Sequence, residues 1–170
     1  PANGGTWSGI SISGGDSSSF TFAEFRGAVA GDAETLVDGG ALRVSDSVTR
    51  VYVENCRFTD NSASGGGGAM AIVNWASASI VASEFVGNNA LAADVPYGGG
   101  AVLARDSAAM RIESSSLHDN VAVSRGGAIR VFNGASVDVI ESDIRHNAGW
   151  HGGGISVQSG FAHVARTFVV

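Results

Sequence analysis

A pair of glycines followed by a short apolar strand recurs along this chain and limits its folding choices more than any other feature. The chain reads GGALRV from Gly39, GGAMAI from Gly67, GGAVLA from Gly99, GGAIRV from Gly126 and GGGISV from Gly152, with WSGISI from Trp7 as a looser first copy. A second motif runs in phase: FTDN from Phe58, FVGN from Phe85, LHDN from Leu117 and IRHN from Ile144, with FRGA from Phe25 as a degenerate copy and Phe168 opening another. Self-similarity at this period marks a solenoid, in which no repeat can bury its apolar face without a neighbour.

Within each repeat the apolar period is two, the period of a strand. Val51 and Val53 fall on one face with Tyr52 and Glu54 on the other, and Val137 and Val139 repeat the pattern. We expect an all-β parallel β-helix (β-solenoid) of about six coils with three short strands per coil. The whole of 1–170 reads as one domain, a segment of a longer protein or a stacking unit. At about 4.8 Å per strand the rod is only ~25–30 Å long. Two inward ladders follow: Ile10, Leu42, Met70, Val102, Ile129 and Ile155, then Phe25, Phe58, Phe85, Leu117, Ile144 and Phe168. A small-residue ladder of Ala23, Cys56, Ser83, Ser115 and Ser142 makes Cys56 a buried core thiol. Asn61, Asn88, Asn120 and Asn147 form a structural ladder at a corner, since Asn tolerates left-handed turns and its amide both donates and accepts. The glycine pairs supply positive φ or close backbone approach. Residues 30–38 are expected to hold a short turn or helix.

The alternating GGA(I/L/V) and FxxN motifs resemble the repeats of polymorphic outer membrane proteins, which belong with the pectin-lyase-like β-helices. The resemblance covers residues 7–168. It implies a right-handed helix, an extracellular or cell-surface location and a role in adhesion or surface structure, and it brings no catalytic motif to transfer. A scaffold does not by itself fix a function.

The net charge of −6 argues against nucleic acid as a partner, and no apolar run is long enough to enter a bilayer as a helix. The tetraglycine at 65–68 is no phosphate loop, because no Lys exists to follow it. The best polar cluster is His118, Asp119, Arg145 and His146 at one corner, followed by Trp150 and His151. Asp119 and His146 are the catalytic candidates of a carbohydrate-active β-helix, and His118 and His146 the metal candidates. Asp60 and Asp119 share a ladder position two coils apart with Gly87 between them. The outward ladder Glu24, Arg57, Glu84, Ser116 and Asp143 reads as solvated ion pairs, and Ser11, Arg43, Ala71, Leu103, Arg130 and Ser156 as an irregular outer face. Two long loops, around 28–38 and 88–98, leave the same side on alternate coils, and loops on rigid scaffolds carry binding function. Pro96 and Tyr97 in the second loop, with Trp150 and His151 after the polar corner, are the binding candidates. The leading expectation is a non-catalytic structural or adhesive module with no cofactor. It would contact other chains or surface glycans, or associate end to end. A carbohydrate-active β-helix is the alternative.

Overall fold

The computed structural model describes residues 7–15, 17–32, 35–93 and 97–170. They form a parallel β-helix of about six coils with no helix among them. Counting each coil from its first-sheet strand, the first sheet stacks Ile10–Ile12, Leu42–Ser45, Met70–Val73, Val102–Arg105, Ile129–Phe132 and Ile155–Gln158. Ser17–Thr21 to Phe161–Ala165 build the second sheet, and Glu24–Arg26 to Phe168–Val169 the third. The first five coils each carry one strand more than expected, and the sixth carries three. A fourth sheet follows the Asn corner, built from Val29–Ala30, Ser62–Ala63, Asn89–Ala90, Val121–Arg125 and Ala148–His151. Three of these strands are only two residues long, too short to display an alternating pattern in the sequence.

Every pairing is parallel, and equal register turns like residues into ladders. The first apolar ladder runs Ile10, Leu42, Met70, Val102, Ile129, Ile155. In the second, Phe25, Phe58 and Phe85 stack ring on ring at 4.6 Å, within 4° of parallel, and Leu117 and Ile144 continue it. Its sixth member is Val169, not Phe168. The step from Gln158 to Phe161 is one residue shorter than that from Phe132 to Ser136, so the register moves by one and Phe168 sits beside Asp143, exposed.

Two polar ladders run between these apolar ones. Asn61, Asn88 and Asn120 are fully buried. Each amide donates to the next Asn Oδ1 at 2.9 Å, and to a third-sheet carbonyl of the preceding coil at 2.9–3.0 Å. The backbone N–H of each donates to that same Oδ1 at 3.0–3.1 Å. The asparagines are not the left-handed residues of this corner. That conformation belongs to the residue before each, namely Asp60, Gly87, Asp119 and His146, and to Gly27 before Ala28 in the first coil, with φ from 53° to 67°. In the small-residue ladder, Ser83 Oγ accepts from Cys56 N, Ser115 Oγ from Ser83 N and Ser142 Oγ from Ser115 N, all at 3.1–3.2 Å. Cys56 Sγ is buried there, 3.3 Å from Glu54 O and 3.4 Å from Phe20 O.

The tetraglycine at 65–68 has a separate steric reason at each position. Gly67 has φ +66°, while a Cβ on Gly68 would overlap the carbonyl O of Gly100. A Cβ on Gly65 would strike Asp38 Oδ1, and one on Gly66 would meet Gly98 O and Leu103. This short turn therefore threads between the two long loops. Gly68→Ala should cost about 3 kcal/mol or more, because rigid backbone cannot yield to it. Gly27 has φ +64° and open space around its missing Cβ. Gly27→Ala should cost only the left-handed penalty of ~1–2 kcal/mol. Denaturant unfolding of the two variants tests the contrast.

Removing the Asn88 amide strands two buried donors of Asn61. At about 1–3 kcal/mol for each unsatisfied group, Asn88→Ala should lose ~3 kcal/mol or more. Its neighbour Asn89 donates only locally, to Gly87 O. Asn89→Ala should cost under ~1 kcal/mol in the same measurement.

Candidate functional site

Two surfaces compete for a functional role: the third-sheet corner around His118 and the face of the fourth sheet. At the corner, register sets His118 beside Val86 and Arg145. Its Nδ1 lies 2.7 Å from Asp119 Oδ2 and its Nε2 3.0 Å from Glu84 Oε1 on the neighbouring coil. Two carboxylates facing both ring nitrogens are satisfied together only by an imidazolium, which donates from both. Burial of the ring opposes that charge, but the hydrogen bonds to Asp119 and Glu84 outweigh it, so His118 titrates above the ordinary 6.5. The same hydrogen bond, ahead of the weaker pull of His146 and Arg145, holds Asp119 below its ordinary 3.8.

This geometry makes the corner a cross-coil clamp. Neither nitrogen of His118 is left to accept a proton from a substrate. Asp119 and His146 occupy the left-handed turn positions of successive coils, and both are exposed. Asp60 shares that position, and its carboxylate lies over Gly87, in the space a side chain there would fill. Outside the clamp, Glu84 pairs with Arg57 at 3.0 Å and Arg145 with Asp143 at 2.8 Å. Among the described residues no group of three or more His, Cys, Asp or Glu side chains stands ready to hold a metal ion.

The raised His118 pKa adds stability that is full below 6.5 and lost as pH rises through the folded value. The lowered Asp119 pKa adds stability present above 3.8 and lost as pH falls through its folded value. The destabilisation caused by His118→Gln should therefore be largest between those values and fade toward alkaline pH. Melting temperatures of both proteins across pH 3–9 test this.

The fourth-sheet face is built differently. The first long loop leaves Ala30 and returns at Gly39, and the second leaves Ala90 and returns at Gly99. In the first, Thr35 N–H donates to Asp32 Oδ1 at 2.8 Å and no helix forms among the described residues; positions 33 and 34 of the expected turn or helix lie outside them. Ser64 on the coil between them braces this loop, accepting from Val37 N at 2.9 Å and donating to Thr35 O at 2.6 Å. Asp38 fastens it further. Its carboxylate is buried, accepting from Gly66 N at 2.8 Å and from Arg105 Nε at 2.9 Å. Burial works against the charge on Arg105, but Asp38 and Asp106 overcome it and raise its pKa. In the second loop, Tyr97 O accepts from Ser124 Oγ at 2.8 Å, and Gly98 bridges Arg125. Pro96 lies outside the described residues.

Below these loops the supposed outer face of the first sheet is covered. Ala71, Leu103 and Arg130 are fully buried, and Ala71, Val73, Leu103 and Phe132 form a second, smaller apolar cluster. The turn at Gly66–Gly67 packs on Leu103, and Gly99 on Arg130. The Arg130 guanidinium lies 5.2 Å from the Phe132 ring centre and donates to Ser156 and Gln158. Burial, then the nearby Arg125, lower its pKa to about 10.

Between the two loops lies a groove of about 440 Å³, lined by Val29, Ala30, Leu36, Ser62, Ser64 and Leu91 among others. A smaller pocket of about 130 Å³ adjoins it, formed by Ala93, Ser124, Arg125, Trp150 and His151. Trp150 is 83% exposed, and its ring lies 6.4 Å from that of His151. Trp150 and His151 thus belong with the second loop, while His118, Asp119 and His146 sit at the preceding corner and line neither pocket. The loops were visible in the sequence as insertions on one side. The short strands that form the floor between them were not. Comparison of the chain with protein-family models, with curated proteins and with solved structures gave no match.

Proposed function

We propose that this chain is a non-catalytic structural or adhesive β-helix module of an extracellular or cell-surface protein, working through contacts on its fourth-sheet face. One observation carries the reading: two loops from alternate coils, each tied by hydrogen bonds to a coil other than its own, wall a groove on the fourth sheet. Exposed Leu36 and Leu91 line it, exposed Trp150 lines the adjoining pocket, and Val121 and Val123 are exposed on the fourth-sheet strand Val121–Arg125. Clustered apolar exposure of this kind marks contact surfaces on otherwise polar proteins. The motif resemblance to polymorphic outer membrane protein repeats supports the same location and role. The His118 clamp supports a structural reading of the one corner that otherwise suggests catalysis.

The test couples adhesion with turnover. The chain on beads should bind members of an array of immobilised extracellular proteins and surface glycans. The triple variant Leu36→Ser, Leu91→Ser, Trp150→Ala should lose at least about tenfold of that binding at unchanged melting temperature. Incubation with acidic and neutral polysaccharides should release no shortened products. Depolymerisation that disappears in Asp119→Asn or His146→Ala would overturn the reading in favour of a carbohydrate-active β-helix.

A further inference from the structure

The groove between the loops and the Arg125 pocket meet at Ala93, which lines both. Together they follow the fourth sheet from the strand Val29–Ala30 to the strand Ala148–His151, four strand spacings away. At about 4.8 Å each this is ~19 Å, the length of about six residues of extended peptide. The chemistry changes along the path. Aliphatic side chains of Val29, Leu36 and Leu91 wall one end. A guanidinium, an imidazole and an exposed indole close the other.

Arg125 is placed unlike the five arginines of this acidic chain that hold a carboxylate closely. Arg57, Arg105, Arg111, Arg145 and Arg166 each reach a carboxylate within 3.0 Å. Arg125 instead donates from Nη1 to the neutral amide oxygen of Gln158 at 3.2 Å, and its buried Nε has no hydrogen-bond partner among the described residues. The Arg130 guanidinium shares the same Gln158 oxygen, so two like charges converge there. An added carboxylate would relieve that repulsion and give Arg125 a charge-assisted partner.

We propose that this path binds an extended peptide segment of a partner protein, with aliphatic side chains between the two loops and an Asp or Glu carboxylate on Arg125 beside Trp150 and His151. This rests on the reading of the face as a contact surface. The aliphatic walls of Val29, Leu36 and Leu91 suit the apolar side chains of a peptide better than the hydroxyls of a linear glycan, which would lose water against them.

Fluorescence anisotropy of the chain with labelled Leu-Ala-Leu-Ala-Ala-Glu, amidated at its C-terminus, tests the proposal against the same peptide ending in Gln. The Glu peptide should bind about tenfold or more tighter, the worth of one charge-assisted hydrogen bond. Arg125→Gln should abolish that preference, and Leu91→Ser should weaken both peptides alike. Because Arg125 also supports Gln158, Trp150→Ala, at an exposed position, serves as a second variant and should weaken the Glu peptide. Equal affinity of the two peptides for the unaltered chain, or no binding of either, would overturn the proposal. So would an oligogalacturonate that binds this path more tightly than the Glu peptide. If the peptides fail while the triple variant still loses array binding, only this inference falls. If array binding also survives the triple variant, the contact-face reading falls with it.

Discussion

The stacking of coil on coil depends on the buried asparagine amides. An amide carries two donors and one oxygen with two lone pairs, and the corner uses all four. Asn88 Nδ2 donates forward to Asn120 Oδ1 and back to Phe58 O, while its Oδ1 accepts from the backbone and side chain of Asn61. A carboxylate has no such donors, and a hydroxyl has too few. The ladder therefore fixes each coil's register on the next, because a slip of one residue would leave several buried polar groups unpaired. With that register set, Phe25, Phe58 and Phe85 stack face to face, and the second glycine of each of the first four pairs comes against a carbonyl of the coil beyond.

A frame locked this way restricts where the chain can vary. The arc from the first sheet to the Asn corner holds the interlocking ladders and keeps nearly constant length. Insertions are confined to the arc between the Asn corner and the next glycine pair. Successive coils stack in register, so two insertions on alternate coils must emerge side by side. The coil between them then has to pass under both, which explains why its turn is four glycines long. Asp38 with Arg105, and Ser124 with Tyr97, hold the loops to coils other than their own. These ties anchor the described parts of both loops to the rod.

The ladders were legible in the sequence because each repeats a residue type at a nearly fixed interval. What escaped was whatever does not repeat. Ser62–Ala63 and Asn89–Ala90 are strands by virtue of their neighbours, not of any local pattern. Ala71, Leu103 and Arg130 alternate outward as read, but the glycine turns and the loop end at Asp38 cover that face, and strand period says nothing about what lies over a strand. Phe168 matched the motif by residue type but lies 16 residues after its glycine pair, where the other copies lie 18 or 19 after. The turn before Phe161 is shorter by only one residue, so the ladder position falls on Val169. At the polar corner, residue types suggested chemistry, whereas Asp119 and His146 hold turn positions and His118 spends both nitrogens on carboxylates. Trp150 and His151 were read in the loop after that corner, and their meeting with the second loop depends on the fourth sheet.

Hydrogen exchange at the side-chain amides of Asn61, Asn88 and Asn120, followed by NMR, tests the central claim most directly. Amides buried in a continuous ladder should exchange as slowly as the backbone N–H groups of Val53 and Ile112, through global unfolding alone. Exchange at the rate of exposed amides, with those backbone groups still protected, would contradict an asparagine ladder as the lock of this fold.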